Sequence, residues 1–467
     1  IFNGENNNQN GENKLFSNEN KLVYTKKIDS SRALVAVAKY IFQNRPYNFT
    51  DENDVFSYLI NNSDVKKVNQ KVESKINFAG AKLSYVKKYK NDKSFQIQLG
   101  NEWKKDFLDT DIFLLDAQNQ VINFNKNEYV NNIDFSQNNI FNEIKYNKKN
   151  EKGWSYDLSL YSQFIVSYFN GTNKSGVYFS PNFSINYQNR KIGKFSFSGS
   201  RKFSSITINY LNINYIYQGN RSLEKSDIGV KIMPSYNVGL SYNVGNTLDE
   251  YLKFDLNFYR DEDYISNNMI VNPNYTINQS ILVRNNKNIN LSLELKKYLK
   301  FIKSKISLSN DYILSNYENS INNQDLISTK FAKFKTGVEM KSGWRSFANY
   351  ELGYEWSFNR IKSTVNQNNY LDEKGYFNLY FVFSSKFRLD TQYEYYKFGN
   401  TTQKNTQFLD AKINYTFNKL KMNLFLQGNN LLNNNSIQKY SINNISESVY
   451  TQKLMPLNIV LGVNKNF

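Results

Sequence analysis

The last stretch of the chain alternates. Leu457, Ile459, Leu461, Val463 and Phe467 are apolar and share one parity; Asn458, Gly462, Asn464 and Asn466 share the other and are small or polar, with Val460 the one exception. A period of two is the mark of a β-strand with a single apolar face. About ten such residues cross a bilayer when tilted, which would set the aromatic Phe467 at the water interface. The pattern recurs upstream. Ala348, Tyr350, Leu352, Tyr354, Trp356 and Phe358 alternate with Asn349, Glu351, Gly353, Glu355 and Ser357. Leu409, Ala411, Ile413, Tyr415 and Phe417 alternate with Asp410, Lys412, Asn414 and Thr416. Phe377, Leu379, Phe381 and Phe383 are followed by Leu389, Thr391, Tyr393 and Tyr395, opposed by Asp390, Gln392 and Glu394. Trp154, Tyr156, Leu158 and Leu160 oppose Ser155, Asp157 and Ser159.

A water-soluble sandwich also alternates, burying its apolar face and wetting the other. It rarely keeps this up over so many strands with charge on the polar face and aromatics at the strand ends. A wide membrane barrel does, with apolar residues toward lipid and polar ones toward a wet lumen. No run of about 18 apolar residues exists, so no helix spans a membrane. Lipid leaves only helices and closed barrels as spanning structures. The fold class expected is therefore all-β: a transmembrane antiparallel up-and-down barrel of about 18–22 strands.

Composition agrees. Apolar residues make up only 40% of the 467, while aromatics reach 16%, with 36 Tyr and 35 Phe. A barrel needs one apolar face and two aromatic girdles. AT-rich codon usage also raises Asn, Lys, Ile, Tyr and Phe, but it does not produce alternation. Cysteine and histidine are absent, which removes disulfides, thiolate nucleophiles, imidazole bases and His-ligated metals. Ser-His-Asp and Cys-His catalysis are excluded. Lys+Arg number 59 and Asp+Glu 41, a net +18. The lysines are dispersed over turns and polar faces, so solvated loops and a basic lumen are expected and nucleic-acid binding is not.

Residues 1–20 are Asn-, Glu- and Gly-rich and read as a polar, flexible lead-in, leaving 21–467 as the barrel domain. The stretch from Asp51 to Gln70 is the best helical candidate and is read as loop. Tight turns are expected at Asn91-Asp92, Asn189 to Gly193, Asn285 to Asn288 and Asn418-Lys419. Long polar loops are expected at Leu115 to Asn138, Glu262 to Tyr275, Ser315 to Ser328 and Arg360 to Lys374. Short turns at one rim and long loops at the other suit a periplasmic and an extracellular side.

Several local features resemble the barrel of TonB-dependent receptors and the outer-membrane β-barrel family related to them. Asn430-Leu431-Leu432-Asn433 resembles the Asn-Leu-Phe-Asn signature of those receptors, with Leu432 in place of Phe. The closing strand is similar to theirs, departing at Lys465 where an aromatic is usual. Gly219-Asn220-Arg221-Ser222-Leu223-Glu224-Lys225 resembles a Gly-Asn-Pro-x-Leu-x-Pro loop with both prolines lost. Phe179-Ser180-Pro181 through Tyr187, then Phe195 to Arg201, is similar to the strand pair before that loop. The resemblance covers about residues 70 to 467.

It implies an outer-membrane protein of a Gram-negative bacterium, no enzyme, importing a bulky nutrient such as a metal chelate, glycan or peptide. Energy would come from a TonB-type coupling protein through a plug domain that this sequence does not contain. Further implied partners are outer-membrane lipid, the barrel-assembly machinery and a surface lipoprotein. Because the family uses about 22 strands, the sequence is expected to begin inside the barrel. A plugless porin-like or surface-binding barrel is the alternative, and a secreted all-β adhesin a third reading.

No catalytic, cofactor or metal residue is assigned. Asp261-Glu262-Asp263 and the trio Asp51, Glu52 and Asp54 hold oxygen ligands but match no defined calcium loop. Glu351, Glu355, Asp390 and Glu394 are expected on the lumen face, tuning selectivity rather than performing acid–base work. Tyr350, Tyr354, Trp356 and Tyr376 are expected in the aromatic girdle.

Overall fold

A computed structural model describes residues 8–465 apart from 53–54, 91, 150–152, 220, 227, 247, 345, 365, 400, 402–404 and 443–446. Phe467 lies outside the described residues, as do Asn91, Asn220 and Asp54.

One antiparallel meander makes up nearly the whole chain. Its first strand is interrupted: Asn8–Asn13 and Phe16–Lys27 both pair with Arg32–Glu52. The order then follows the sequence through Lys67–Tyr89, Lys93–Leu115, Asn131–Lys149, Trp154–Phe169, Thr172–Asn189, Gly193–Ser205, Ile232–Gly245, Glu250–Val271, Thr276–Leu299, Ser304–Ile321, Ile327–Ser342, Ala348–Ser363, Gln367–Val382, Phe387–Lys397, Thr406–Phe417, Met422–Asn429 and Asn458–Lys465. Nineteen strands are thus joined edge to edge among the described residues.

Ladder register fixes which way each side chain points, since directly opposed residues share a face. Phe197, Leu240, Leu256, Leu291, Tyr312, Phe334, Phe358 and Leu371 form one unbroken cross-strand row over eight strands. A single residue away along each strand, Ser196, Ser241, Asp255, Ser292, Asp311, Lys335, Ser357 and Asp372 form the neighbouring row. The first row is apolar and the second wholly polar. Exposure identifies the apolar face as the outside: Phe334, Phe358 and Leu371 are 45%, 44% and 39% exposed, whereas Ser357 is 7%. Apolar residues outside and polar residues inside is the inversion expected of a barrel in lipid.

Connections at one end are all short: 28–31, 90–92, 190–192, 246–249, 300–303, 383–386 and 418–421 are typical. Gly245 shows why such a turn needs glycine. Its φ is +90°, and a Cβ there would lie 2.0 Å from the Glu250 carbonyl oxygen. The opposite end carries the long connections 53–66, 116–130, 206–231 and 430–457.

Several loop boundaries differ from the sequence expectation. Asn285 to Asn288 is no turn but the interior of Thr276–Leu299. The stretches expected as loops at Glu262 to Tyr275, Ser315 to Ser328 and Arg360 to Lys374 are mostly strand, with true connections only at 272–275, 322–326 and 364–366. Beyond the lipid both faces are wet, so alternation fades while the hydrogen-bond ladder continues. For the same reason Gln9 to Asn13 and Phe16 to Asn20 are strand, paired to Tyr47–Asp51 and Tyr40–Asn44, rather than a free lead-in. Within 53–66 a five-residue helix, Val55–Leu59, buries Val55 and Phe56.

The two outermost strands, Phe16–Lys27 and Asn458–Lys465, share no ladder among the described residues. Every residue of Phe16–Lys27 is exposed. With an odd number of strands in a meander, the two edges run in the same direction. A direct seam would be parallel, and an all-antiparallel closure takes an odd number of further strands.

The in–out assignment predicts opposite responses at neighbouring positions. Phe377→Arg, on the apolar parity, should lower stability in a bilayer by about 2–4 kcal/mol. Asn378→Arg, opposite Glu351 and Gln392 on the inner face, should leave it nearly unchanged. Denaturant titration of both variants in lipid vesicles measures the difference.

Candidate functional site

The inner wall carries a ladder of paired charges. Lys335 Nζ lies 2.8 Å from Glu355, and Lys341 Nζ lies 3.0 Å from Glu351 and 3.2 Å from Glu339. Arg388 Nε is 2.6 Å from Asp390. Glu394 accepts from Gln392 Nε2 at 2.8 Å and from the Tyr396 hydroxyl at 2.9 Å. All four expected lumen carboxylates face inward, each with its own cation or donor. That is a wall of fixed, individually partnered charges, not a pair of carboxyls sharing a proton.

Three of the four expected girdle residues face outward. Tyr350 stands near the short turns, with its hydroxyl 3.0 Å from Ser304 Oγ and its ring edge-on to Trp344 at 5.1 Å. Phe347, Phe381, Phe383 and Phe387 continue this belt at ring separations of 5.4–6.5 Å. Tyr354 and Trp356 touch at 4.6 Å farther up the same strand, where Tyr354 donates to Glu373. From Ala348 to Phe358, ten steps of about 3.3 Å tilted by about 40° give an apolar band roughly 25 Å tall.

Tyr376 corrects the expectation. It is opposite Gly353 on the polar parity and faces the lumen, where its hydroxyl donates to Glu339 at 2.8 Å. A Cβ on Gly353 would come within 2.5 Å of the Tyr376 ring. Phe377, its outward neighbour, carried the signal: adjacent strand residues cannot both face lipid.

At the long-loop end, segments 53–66, 116–130 and 206–231 fold onto the inner face and build a true core. Val55 and Phe56 of the short helix pack with Tyr129, Tyr217 and Leu223. The wall supplies Phe49, Val68, Ile112 and Leu114 from one side and Ile277 from another. Phe49 and Ile277 stand nine strands apart in the sheet order and meet through this cap, Ile277 lying past the end of the ladder to Ser304–Ile321, where Thr276–Ser280 pairs with Ser222–Ser226 instead. Polar anchors fix the segment 206–231. Gln70 recognises the Tyr217 backbone through both amide atoms, at 2.8 Å each. The Tyr217 hydroxyl donates to Asp51 at 2.6 Å. Asn131 accepts from the Asn214 backbone at 3.1 Å, and Ser222–Ser226 adds a parallel ladder to Thr276–Ser280. Burial pushes the Tyr129 hydroxyl up to about 12 and raises Glu224 above the ordinary glutamate range.

Most of this cap lay outside the sequence reading, although a signal existed. Ile206, Ile208, Leu211, Ile216, Leu223, Ile228 and Val230 are too many apolar residues for a loop in water. The segment Gly219 to Lys225, noted for its resemblance to a receptor loop, forms part of this cap, with Leu223 only 1% exposed.

Asn430-Leu431-Leu432-Asn433 is a structural staple. Asn430 and Asn433 take φ of +51° and +52°. The Asn430 side chain donates to the carbonyls of Asn434 and Met455 at 2.8 and 2.9 Å and accepts from the Asn434 amide at 3.0 Å. Asn433 Oδ1 accepts from the Leu457 amide at 3.0 Å. The motif thereby aims Asn458–Lys465 at its partner, with Leu457, Ile459, Leu461 and Val463 pointing outward and 42–68% exposed. Between them, the hairpin Ser436–Ile442 and Glu447–Lys453 is pinned inward by the Tyr440 hydroxyl, 2.6 and 2.7 Å from the two oxygens of Asp372.

Among the described residues, the acidic trios do not converge. Asp261 and Asp263 face inward and Glu262 outward, all within Glu250–Val271. Asp51 bonds Tyr217, while Glu52 pairs with Lys67 at 3.0 Å.

No protein-family model matches this chain, and no curated protein does. Solved structures that it resembles include the siderophore receptor PiuA from Acinetobacter baumannii, at 13% identity and TM-score 0.47, covering 97% of this chain and 64% of that one. Others are the ferric yersiniabactin uptake receptor FyuA from Yersinia pestis, at 10% and 0.40 over 97% and 78%, and a double mutant of the Serratia marcescens hemophore receptor HasR, at 10% and 0.42 over 91% and 67%. The chain thus spans about two thirds of PiuA.

Two outcomes test the site. Asn430→Ala removes three side-chain hydrogen bonds from a left-handed residue and should cost about 2–3 kcal/mol; Asn430→Gly should recover the backbone part alone, read from unfolding midpoints. For Glu224, a folded-state pKa above the unfolded one means that docking of 206–231 is firmest at low pH. It weakens as pH rises through the glutamate range. Limited proteolysis of that segment between pH 4 and 7 should show this trend, and Glu224→Gln should abolish it.

Proposed function

We propose that this chain forms the barrel of an outer-membrane receptor that takes up a bulky nutrient across the outer membrane of a Gram-negative bacterium. The observation that carries the reading is the sustained inversion over eight neighbouring strands of the nineteen, apolar outward and polar inward. Such a sheet is stable only with lipid on one side and water on the other. The barrel's work would be physical: a fixed-charge wall of paired Lys, Glu and Asp guides a polar solute, and the capped long-loop end offers a recognition surface. Glu351, Glu355, Asp390 and Glu394 tune selectivity in this reading, and the outward row Leu457, Ile459, Leu461 and Val463 is what the assembly machinery reads. Energy would enter through a plug acted on by a TonB-type protein, with outer-membrane lipid as solvent and a surface lipoprotein as a further partner.

The long-loop end would face outside and the short turns the periplasm. The full-length protein should fractionate with the outer membrane and shift on gels when heated. Growth on its nutrient should fail when the energy-coupling protein is deleted. Uptake that persists in that deletion would make the barrel a passive porin, and recovery in the aqueous phase without detergent would refute a membrane barrel altogether.

A further inference from the structure

On the outer face, the apolar run of one strand after another ends at a base on the long-loop side. Arg201 follows Phe197 and Gly199, Arg260 follows Phe258, Lys287 stands above Ile289, Lys330 above Ala332, and Arg360 and Lys362 above Phe358. These positions fall on two adjacent rows. Arg260 is directly opposite Lys287, and Lys330 is directly opposite Lys362. Like charges in direct cross-strand pairs are destabilising, and two such pairs here lie at the upper edge of the apolar band.

Among the described residues, Arg201 alone of these bases reaches a carboxylate. Glu262 and Glu318 are the nearby carboxylates on this face; Glu262 is 4.0 Å from Arg201 and already accepts from Tyr236 at 2.6 Å. Asp261, Asp263 and Asp311 face inward. Lys287, Lys330 and Lys362 are exposed and have no carboxylate partner among the described residues. On the inner face of the same strands, Lys253 is 2.7 Å from Asp255 and Lys296 pairs with Glu294, while Lys305 and Lys333 have no carboxylate partner among the described residues. Arg201 is also held flat, its guanidinium 4.7 Å from the Phe203 ring and 5.1 Å from Tyr236.

We propose that this collar binds the phosphates of a glycolipid in the outer leaflet, whose acyl chains lie along the apolar rows beneath. The height of the bases fixes the ligand: one residue pair above the apolar band is headgroup depth, where each base adds to the attraction for an anionic surface. A soluble polyanion would use the charges but not the apolar rows below them. The proposal rests on the outer-membrane reading.

The test uses the full-length protein isolated from outer membranes in detergent, delipidated, and titrated with bisphosphorylated lipid A, with the same lipid stripped of phosphate, and with inorganic phosphate. Native mass spectrometry reads the bound lipid. R260Q/K287Q/K330Q/K362Q should retain bisphosphorylated lipid A at least about tenfold less than the unaltered protein, each base contributing on the order of 1 kcal/mol. The charge-matched inner-face variant K253Q/K296Q/K305Q/K333Q should retain it fully, and the dephosphorylated lipid should bind both poorly. Equal retention by the outward variant, or equal binding of the dephosphorylated lipid, overturns the proposal. Full displacement by inorganic phosphate would show a free-anion site and overturns the lipid assignment. If the unaltered protein is absent from the outer membrane, the membrane reading falls; if it inserts and heat-shifts but shows no phosphate preference, only the collar falls.

Discussion

The backbone ladder governs this molecule. Hydrocarbon offers an amide or carbonyl no partner, and each unmet group costs several kcal/mol there. A chain of modest hydrophobicity can therefore enter lipid only if neighbouring strands satisfy one another continuously. That requirement dictates antiparallel neighbours in sequence order, three- to five-residue turns at one end, and side chains that alternate strictly between two solvents. It also makes the outermost strands the weakest part of the structure. Among the described residues, Phe16–Lys27 and Asn458–Lys465 each have one ladder and one open side, which lipid does not tolerate. Since the two run the same way, closure with antiparallel pairing alone calls for an odd number of additional strands, whatever their source.

The same constraint explains what could be read from the sequence. Alternation in Ala348–Ser363 and Thr406–Phe417 is strong because lipid presses on one face only, and there the strands and their facing were legible. Alternation measures lipid contact, however, and hydrogen bonding extends farther. Glu250–Val271 and Thr276–Leu299 run 22 and 24 residues, well beyond what a bilayer needs, and their wet ends looked like loops. Tyr376 illustrates a related ambiguity: residue type suits a girdle, but parity places it inside. Its ring occupies space that Gly353 leaves empty, a pairing visible only once the register is known.

The cap illustrates a second kind of illegibility. Its core joins residues from 49 to 277, so no local window contains the pattern. Segment 206–231 cannot bury its apolar side chains alone; it folds because Gln70, Asp51 and Asn131 are already presented by the wall as hydrogen-bond partners. A barrel interior that is polar along most of its length becomes apolar at this end, at Val68, Ile112 and Leu114. This is the organisation of a water-soluble protein mounted inside a membrane one, and its stability derives from apolar burial rather than from the ladder.

Several lysines of the inner wall are matched: Lys253 with Asp255, Lys335 with Glu355, Lys341 with Glu339 and Glu351. The outward bases Lys287, Lys330 and Lys362 are not matched by carboxylates among the described residues. A charge at an aqueous lumen can be neutralised only by the protein if the passage is to stay selective, because mobile ions screen but do not specify. A charge at a membrane boundary needs no protein partner when the neighbouring phase brings its own anions. In the collar reading, part of the net +18 of the chain would belong to a surface whose counter-charges come from another molecule.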